Sequence, residues 1–538
     1  MHLRKKNAYR NGSRKVSRGS VPPGAKVLRQ ISPSPVFVLG LLLTGFLGLQ
    51  SLLPLGTAIK IGADEDFEYA KATLWLKGYH FYTEVWNDQP LLHTFWITQV
   101  LKLVSPSVLG PRLVTSAFTL LLLTSVFFLT RRVHGLGVAV LTTALLIGSP
   151  GFLELASSCM VEIPSLAPVL AALAVLVVGP KSRYGFTEIV AGVLFAAALQ
   201  SKFIGVIYLP LILLVLWLRQ RPEAPSAIIA GLPVLGQPSG PSAKLTIPAG
   251  IRGMIRPLCA FATAMLAGFV AIHFWIGEGG FWLQVQQSWA SHFAGVRSFE
   301  YGSPQDRPFD WSILLKNWDA TVPALVGIVF LLRQSRRAPW ALLPLTWTAL
   351  TLVVFGRHTP WWSYYYVHNA IPLCWCAAIG WASVSQHLSR RRAWGWIALF
   401  AVFAVGATAW MGARTYLQVR SMRELPRLHS ALVLREIERY RPFTQFLYTE
   451  EPVYSFHAGI PMPPRLAVVA LKRFWSGDLT NTRLVEELQR VRPGMLLLTN
   501  DTRERPFQDW MQAEYRLVYE DTRHRLYALR SVIDQAER

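Results

Sequence analysis

Long apolar runs, separated by short polar turns, recur from residue 36 to residue 412 and leave few folds open to this chain. A helix needs about 20 apolar residues to cross a bilayer. The runs fall at roughly 36–56, 112–130, 137–150, 161–178, 187–200, 204–218, 257–276, 320–333, 339–356, 367–386 and 394–412. A further apolar stretch, 91–111, is broken by Lys102, by Ser105-Pro106 and by Pro111, and reads as an interfacial or re-entrant helix. Composition agrees: 52% of the 538 residues are hydrophobic and only 16% are charged. These values point to a polytopic membrane protein rather than a soluble one.

The net charge of +23 would suggest nucleic acid in a soluble protein. Here the cations gather in short stretches between apolar runs, as cytoplasmic loops do, so nucleic acid is not an expected partner. With the N-terminus in the cytoplasm and eleven crossings, the basic loops RRVHG, PKSRYG, RQRPEAP, RQSRR and SRRR all fall inside. Residues 1–35 carry nine Lys and Arg and no acid, and read as a basic cytoplasmic tail before a permanent signal anchor. The Pro-, Gly- and Ser-rich stretch 219–256 reads as a flexible cytoplasmic linker. Cys159, Cys259, Cys374 and Cys376 lie in or beside apolar segments and suggest neither a disulfide framework nor a zinc site.

From 413 to 538 the composition changes. Strand-like runs FLYT (446–449), LAVVA (466–470) and MLLLT (495–499) flank a helical NTRLVEELQRV (481–491), with Asn481 or Thr482 as its cap. This predicts a small α/β domain, and an odd number of spans puts it outside the membrane.

The same topology collects polar residues on the outer face. Asp64, Glu65, Asp66 and Glu68 follow the first span, Glu154 and Glu162 precede the fourth, and Gln200 and Lys202 follow the fifth. Arg357, His358, Tyr364, Tyr365, Tyr366 and His368 in GRHTPWWSYYYVHN precede the tenth. Ionisable groups at membrane depth are costly and tend to mark a functional cavity. Structural readings stand beside this one. Asp64 can cap a helix whose first turn is acidic, Glu162 can cap its span beside Pro164, and Lys202 can reach back to the interface. WWSYYY can form an aromatic belt. Taken as one site, carboxylates can take a proton from a nucleophile, and cationic or hydroxyl donors can hold a departing phosphate. That inventory fits glycosyl transfer from a lipid-linked phosphosugar; it also fits an ion-coupled transporter or flippase.

The acidic pair after the first span, the run A-K-A-x-L-W-L-K-G-Y-x-x-Y and then W-N-D-Q-P-L-L resemble the first external loop of the C-type glycosyltransferases, the GT-C fold. The similarity is to the protein-mannosyltransferase-like and aminoarabinose-transferase-like branch, from about residue 36 to 210 and more weakly to 412. It implies an all-α, GT-C-like transmembrane catalytic domain over 36–412, with a first external loop at 57–111 and the α/β extracytoplasmic domain after it. It implies an inverting transfer at the cell membrane from a polyprenyl-phosphate sugar donor to a glycan, lipid or protein acceptor. Asp64 resembles the catalytic base and Glu65 its acidic neighbour, the G-A-D-E order favouring this pair over Glu65 and Asp66; Asp66 and Glu68 then serve the following helix. Gln89 stands where some relatives carry a phosphate-binding lysine and can only hydrogen-bond. Glu162 resembles the acidic residue at the outer start of the fourth span, and Lys202 a donor-phosphate lysine. Arg357, Tyr365 and His368 are implied phosphate or sugar contacts. No cofactor is implied, and a divalent cation is optional.

Overall fold

The computed structural model describes residues 34–104, 107–181, 185–221, 252–278, 280–293, 295–299, 301–336, 338–392, 394–500 and 508–538. Most of the expected basic tail and of the 219–256 linker lies outside these residues. Each expected span coincides with a helix. Five helices are long and apolar enough to cross a membrane: Leu109–His134, Gly253–Ile276, Pro339–Arg357, Ser363–Arg391 and Trp394–Arg423. Shorter apolar helices at Pro35–Ser51, Leu136–Ile147, Glu162–Val178, Phe186–Ser201 and Phe203–Arg219 complete the bundle with Trp318–Ser335. The chain is a multi-pass membrane protein. Its outward-facing apolar side chains, such as Leu266, Phe274, Leu325 and Val405, remain exposed, which lipid tolerates and water does not.

Helices in lipid associate by close packing rather than by hydrophobic exclusion. Gly327 and Gly380 show this: a Cβ on either would collide with the backbone of the facing helix, at Cys376 and Pro323 respectively. The Trp318–Ser335 and Tyr366–Arg391 helices therefore touch backbone to backbone. That contact fixes the helix that begins at Tyr366, the last residue of WWSYYY.

The stretch 91–111 forms a separate helix, Leu92–Leu103, before the next span begins at Leu109. The acidic stretch forms the helix Glu65–Leu76, with Asp64 at its N-cap position. The C-terminal region is an α/β unit with a four-stranded sheet in the order β1-β2-β4-β3. Strand β1 (Leu447–Thr449) runs parallel to β2 (Met495–Thr499), while β3 (Tyr515–Glu520) and β4 (His524–Leu529) pair antiparallel.

Two local expectations are corrected. LAVVA is not a strand. Pro461, Pro463 and Pro464 precede it and lack the N–H groups that a ladder requires, so the chain makes a short turn at Pro464–Leu466 and continues without pairing. The helix over Asn481–Val491 is present, but its cap is Thr480, whose hydroxyl accepts from the Arg483 amide. The sheet domain also shares a core with the first loop. Ala70, Leu74, Phe81 and Leu91 pack with Tyr448, Phe474 and Leu496, and Tyr69 stacks on Phe456 at 4.7 Å between centroids.

Candidate functional site

Neighbouring carboxylates of the first loop have opposite environments. Glu65 is fully buried and turns into the fold. Its oxygens accept from Arg112 Nη2 at 2.7 Å, the Ile61 amide at 2.5 Å and the Cys159 amide at 3.0 Å. Arg112 is itself without solvent exposure and donates to the carbonyls of Leu55 and Ala58 at 2.7 and 3.0 Å. This saturated pair holds the chain leaving the first span against the start of the second. Sequence reasoning missed Arg112; the signal available was a charged residue within an otherwise apolar stretch, directly after Pro111.

Asp64 sits at the N-cap but makes no side-chain capping bond. Its carboxylate instead lines a cavity of about 920 Å³. Capping would have tied its oxygens to the helix amides; instead the carboxylate hydrogen-bonds with the Tyr364 side chain on the same cavity wall. Asp66 is buried beside Lys60 at 2.7 Å, and burial raises its pKa from 3.8 to about 6 against the pull of that lysine. Burial also acts to raise Glu68, but Lys71 at 2.5 Å, His93 and the Thr94 hydroxyl outweigh it and hold the carboxyl below its usual range.

Across the cavity, Glu162 opens its helix and Lys202 ends the Phe186–Ser201 helix. The ammonium lies 2.5 Å from Glu162 Oε1, while Glu162 Oε2 has no partner. Lys202 also stands 5.8 and 5.5 Å from the ring centres of Tyr364 and Tyr365, which line the wall. Gln89 joins the wall, and its amide donates to Asp88 Oδ2 at 3.0 Å. The W-N-D-Q-P loop is rigid because Tyr82 and Asn87 both donate to the Gln89 carbonyl, at 2.9 and 2.5 Å.

Asp64, Gln89, Glu162, Lys202 and Tyr365 therefore come together on one cavity. Three expected site residues stand off it. Glu65 is held by Arg112 as described. His368 is buried behind the wall, 2.6 Å from the Tyr208 hydroxyl and stacked on Phe355. Arg357 is exposed at the end of its helix and is not part of the wall. Lys71 and Lys472 enter the wall without having been singled out. Glu68, Asp88 and His358 also line it, and much of the remainder is apolar, with Ile204, Val206, Met265, Leu266 and Phe269 among it; Val206 and Leu266 are more than half exposed. Among the described residues, no group of three His, Cys, Asp or Glu side chains is placed to hold a metal ion.

The described residues thus form a multi-pass helical bundle with a cavity lined by both charged and apolar side chains. No protein family model matches the sequence, and no curated protein matches it. Solved structures do match. ArnT from Cupriavidus metallidurans bound to undecaprenyl phosphate is 13% identical, with 92% of this chain and 98% of that one covered and a TM-score of 0.59. The same protein in the apo state gives 14%, 92%, 99% and 0.61. The archaeal oligosaccharyltransferase AglB from Archaeoglobus fulgidus, in complex with an inhibitory peptide and a dolichol-phosphate, gives 13%, 86%, 69% and 0.54. ArnT and AglB are both glycosyltransferases of the GT-C fold, and this chain has that fold.

Proposed function

We propose that this chain is an integral glycosyltransferase of the cell membrane. It moves a sugar from a polyprenyl-phosphate donor to a glycan, lipid or protein acceptor on the extracytoplasmic side. The observation that carries the reading is the cavity, in which an uncapped carboxylate, Asp64, shares one wall with Lys202 and with lipid-facing apolar residues. A polyprenyl phosphate has those two halves, a charged head and an apolar tail. Charge asymmetry between the loops supports the orientation, because Arg131, Arg132, Arg219, Arg390 and Arg391 end helices at the opposite membrane face.

In the proposed step, Asp64 takes the proton from the acceptor's hydroxyl or amine. The freed lone pair forms the new bond to the anomeric carbon, from the face opposite the phosphate. The bond from that carbon to the phosphate oxygen breaks, its electron pair leaves with the polyprenyl phosphate, and the configuration inverts. Lys202 stabilises the charge that develops on the departing phosphate, where a preorganised donor is most effective. Glu162 holds Lys202 in place, Tyr365 walls the ammonium, and Gln89 hydrogen-bonds to the donor. Glu65 acts through Arg112 as a positioning residue that sets where Asp64 stands. Arg357 and His368 have no contact role in this reading.

The test is transfer of a labelled sugar by purified protein, with Asp64→Asn compared to the natural chain. Loss of transfer with undecaprenyl-phosphate binding retained supports the reading. Full transfer by that variant overturns the assignment of the base. Deleting the protein and searching membrane and cell-wall fractions by mass spectrometry for a glycan that loses one sugar identifies the acceptor.

A further inference from the structure

The C-terminal domain does more than lie over the bundle: residues Val468 to Leu471, Lys472, Trp475 and Ser476 form part of the cavity wall. This strap is clamped from both sides. Arg473, buried at 6% exposure, donates to the Asp478 carboxylate at 2.8 Å and to the carbonyls of Arg465 and Val468 at 2.8 and 2.9 Å. The same guanidinium stacks 4.7 Å from the ring centre of Trp86 in the first loop. On the far side, the Trp475 carbonyl accepts from the amides of Arg297 and Ser298 at 2.6 and 3.2 Å. Lys472 directly precedes the first of these clamps, Arg473, so its backbone is held with the strap.

Lys472 contacts the Asp88 carboxylate, which also accepts from Gln89, the neutral residue that closes this part of the first loop. Burial and the nearby Lys71 push the Lys472 ammonium down to about 7, while Asp64 favours its charged form, as an entering anion would. An ammonium has three donors, and one is directed to Asp88. Lys472 is at the same time part of the cavity wall. Asp88 thus orients a cation that the first loop does not itself supply at Gln89.

Resting on the function proposed above, we infer that Lys472 is a binding residue for the donor's phosphate, so that the C-terminal domain completes the active site. With Lys202 it places ammonium groups from two separate parts of the chain around one anion. The geometry also makes the docking of the C-terminal domain a condition for holding the donor.

The experiment uses the full chain in nanodiscs, with undecaprenyl phosphate as the probe. Lys472→Gln is expected to weaken its binding about tenfold, the usual scale of one lost charge-assisted hydrogen bond. Lys472→Arg, which keeps the charge, should stay within about threefold of the natural chain. Lys472→Cys should bind as weakly as the Gln variant and recover after aminoethylation of the thiol, which restores an ammonium. A purely structural latch to Asp88 would instead lower the melting temperature and leave the affinity unchanged in folded protein; that result overturns the inference. Failure of the natural chain to bind undecaprenyl phosphate would overturn the proposed function itself, a distinct outcome.

Discussion

The Phe186–Ser201 helix meets a buried ion pair at each end, and the two pairs use nearly the same ingredients. At its start, Glu188 faces Arg219 at 3.3 Å; at its end, Lys202 faces Glu162 at 2.5 Å. Both pairs are almost fully removed from solvent. Arg219 also donates to the carbonyls of Leu176, Gly179 and Pro180. Those are groups at the end of the Glu162–Val178 helix that have no intrahelical partner. The arginine fork closes a helix end at the basic face of the bundle. Lys202 has no such carbonyls; it stands before two tyrosine rings and a cavity, while Glu162 and Glu188 alike keep one oxygen unpartnered. A buried charge pair does not by itself mark a site. What sets the Lys202 pair apart is the cavity that it lines and the Arg219 pair does not.

That contrast breaks if function follows charge wherever it lies. The largest effect should come from Asp64→Asn, which removes the proposed general base and should lower the transfer rate about 10²- to 10⁴-fold, with an unchanged melting temperature. Next comes Lys202→Gln, expected to cost about 10²- to 10³-fold in rate, as loss of one preorganised donor does. Arg112→Met tests the saturated pair beside Asp64. It leaves Glu65 buried without its cation, so thermal or denaturant unfolding should show a loss of about 3–5 kcal/mol. At the other end, Arg219→Gln should lower the melting temperature through uncapped carbonyls while transfer per folded molecule stays at the natural level. Equal losses of transfer for Arg219→Gln and Lys202→Gln would erase the distinction between the two ends.

The smallest effect is a pH slope. The folded pKa of Asp66, about 6, lies above its ordinary value of 3.8, so the folded state binds its proton more tightly. Stability from this group is complete below about pH 4 and is lost as pH rises through about 6. Asp66→Asn should remove that part of the slope when melting is followed from pH 4 to 7. A slope unchanged in the variant would show that Asp66 is not its source.

Much of the bundle was legible because hydrophobicity is a local signal. Every expected span meets a helix, and Lys102 with Pro111 marked the separate Leu92–Leu103 helix. The cavity was partly legible for the same reason: once spans alternate, Asp64, Glu162, Lys202 and Tyr365 must share a face. Within that face the sequence could not separate neighbours. Asp64 and Glu65 are adjacent acids, yet Arg112, 47 positions from Glu65, takes the second and leaves the first. Nor could it show that LAVVA leads into the cavity wall instead of a sheet, since its β-branched residues suit a strand and only the three prolines before it argued otherwise.

What the sequence alone determined is where the apolar helices lie, their order, and that Asp64, Glu162, Lys202 and Tyr365 fall in loops on a common side of the bundle. Each follows from composition along the chain, because a bilayer sorts residues by hydrophobicity and charge one segment at a time. Tertiary structure decided which carboxylate is left uncapped, which cation each acid receives, and that Lys472 of the C-terminal domain reaches Asp88. Those choices depend on distances between groups far apart in the chain, set by backbone packing such as the contact of Gly327 with Gly380, and no local pattern of residues encodes them.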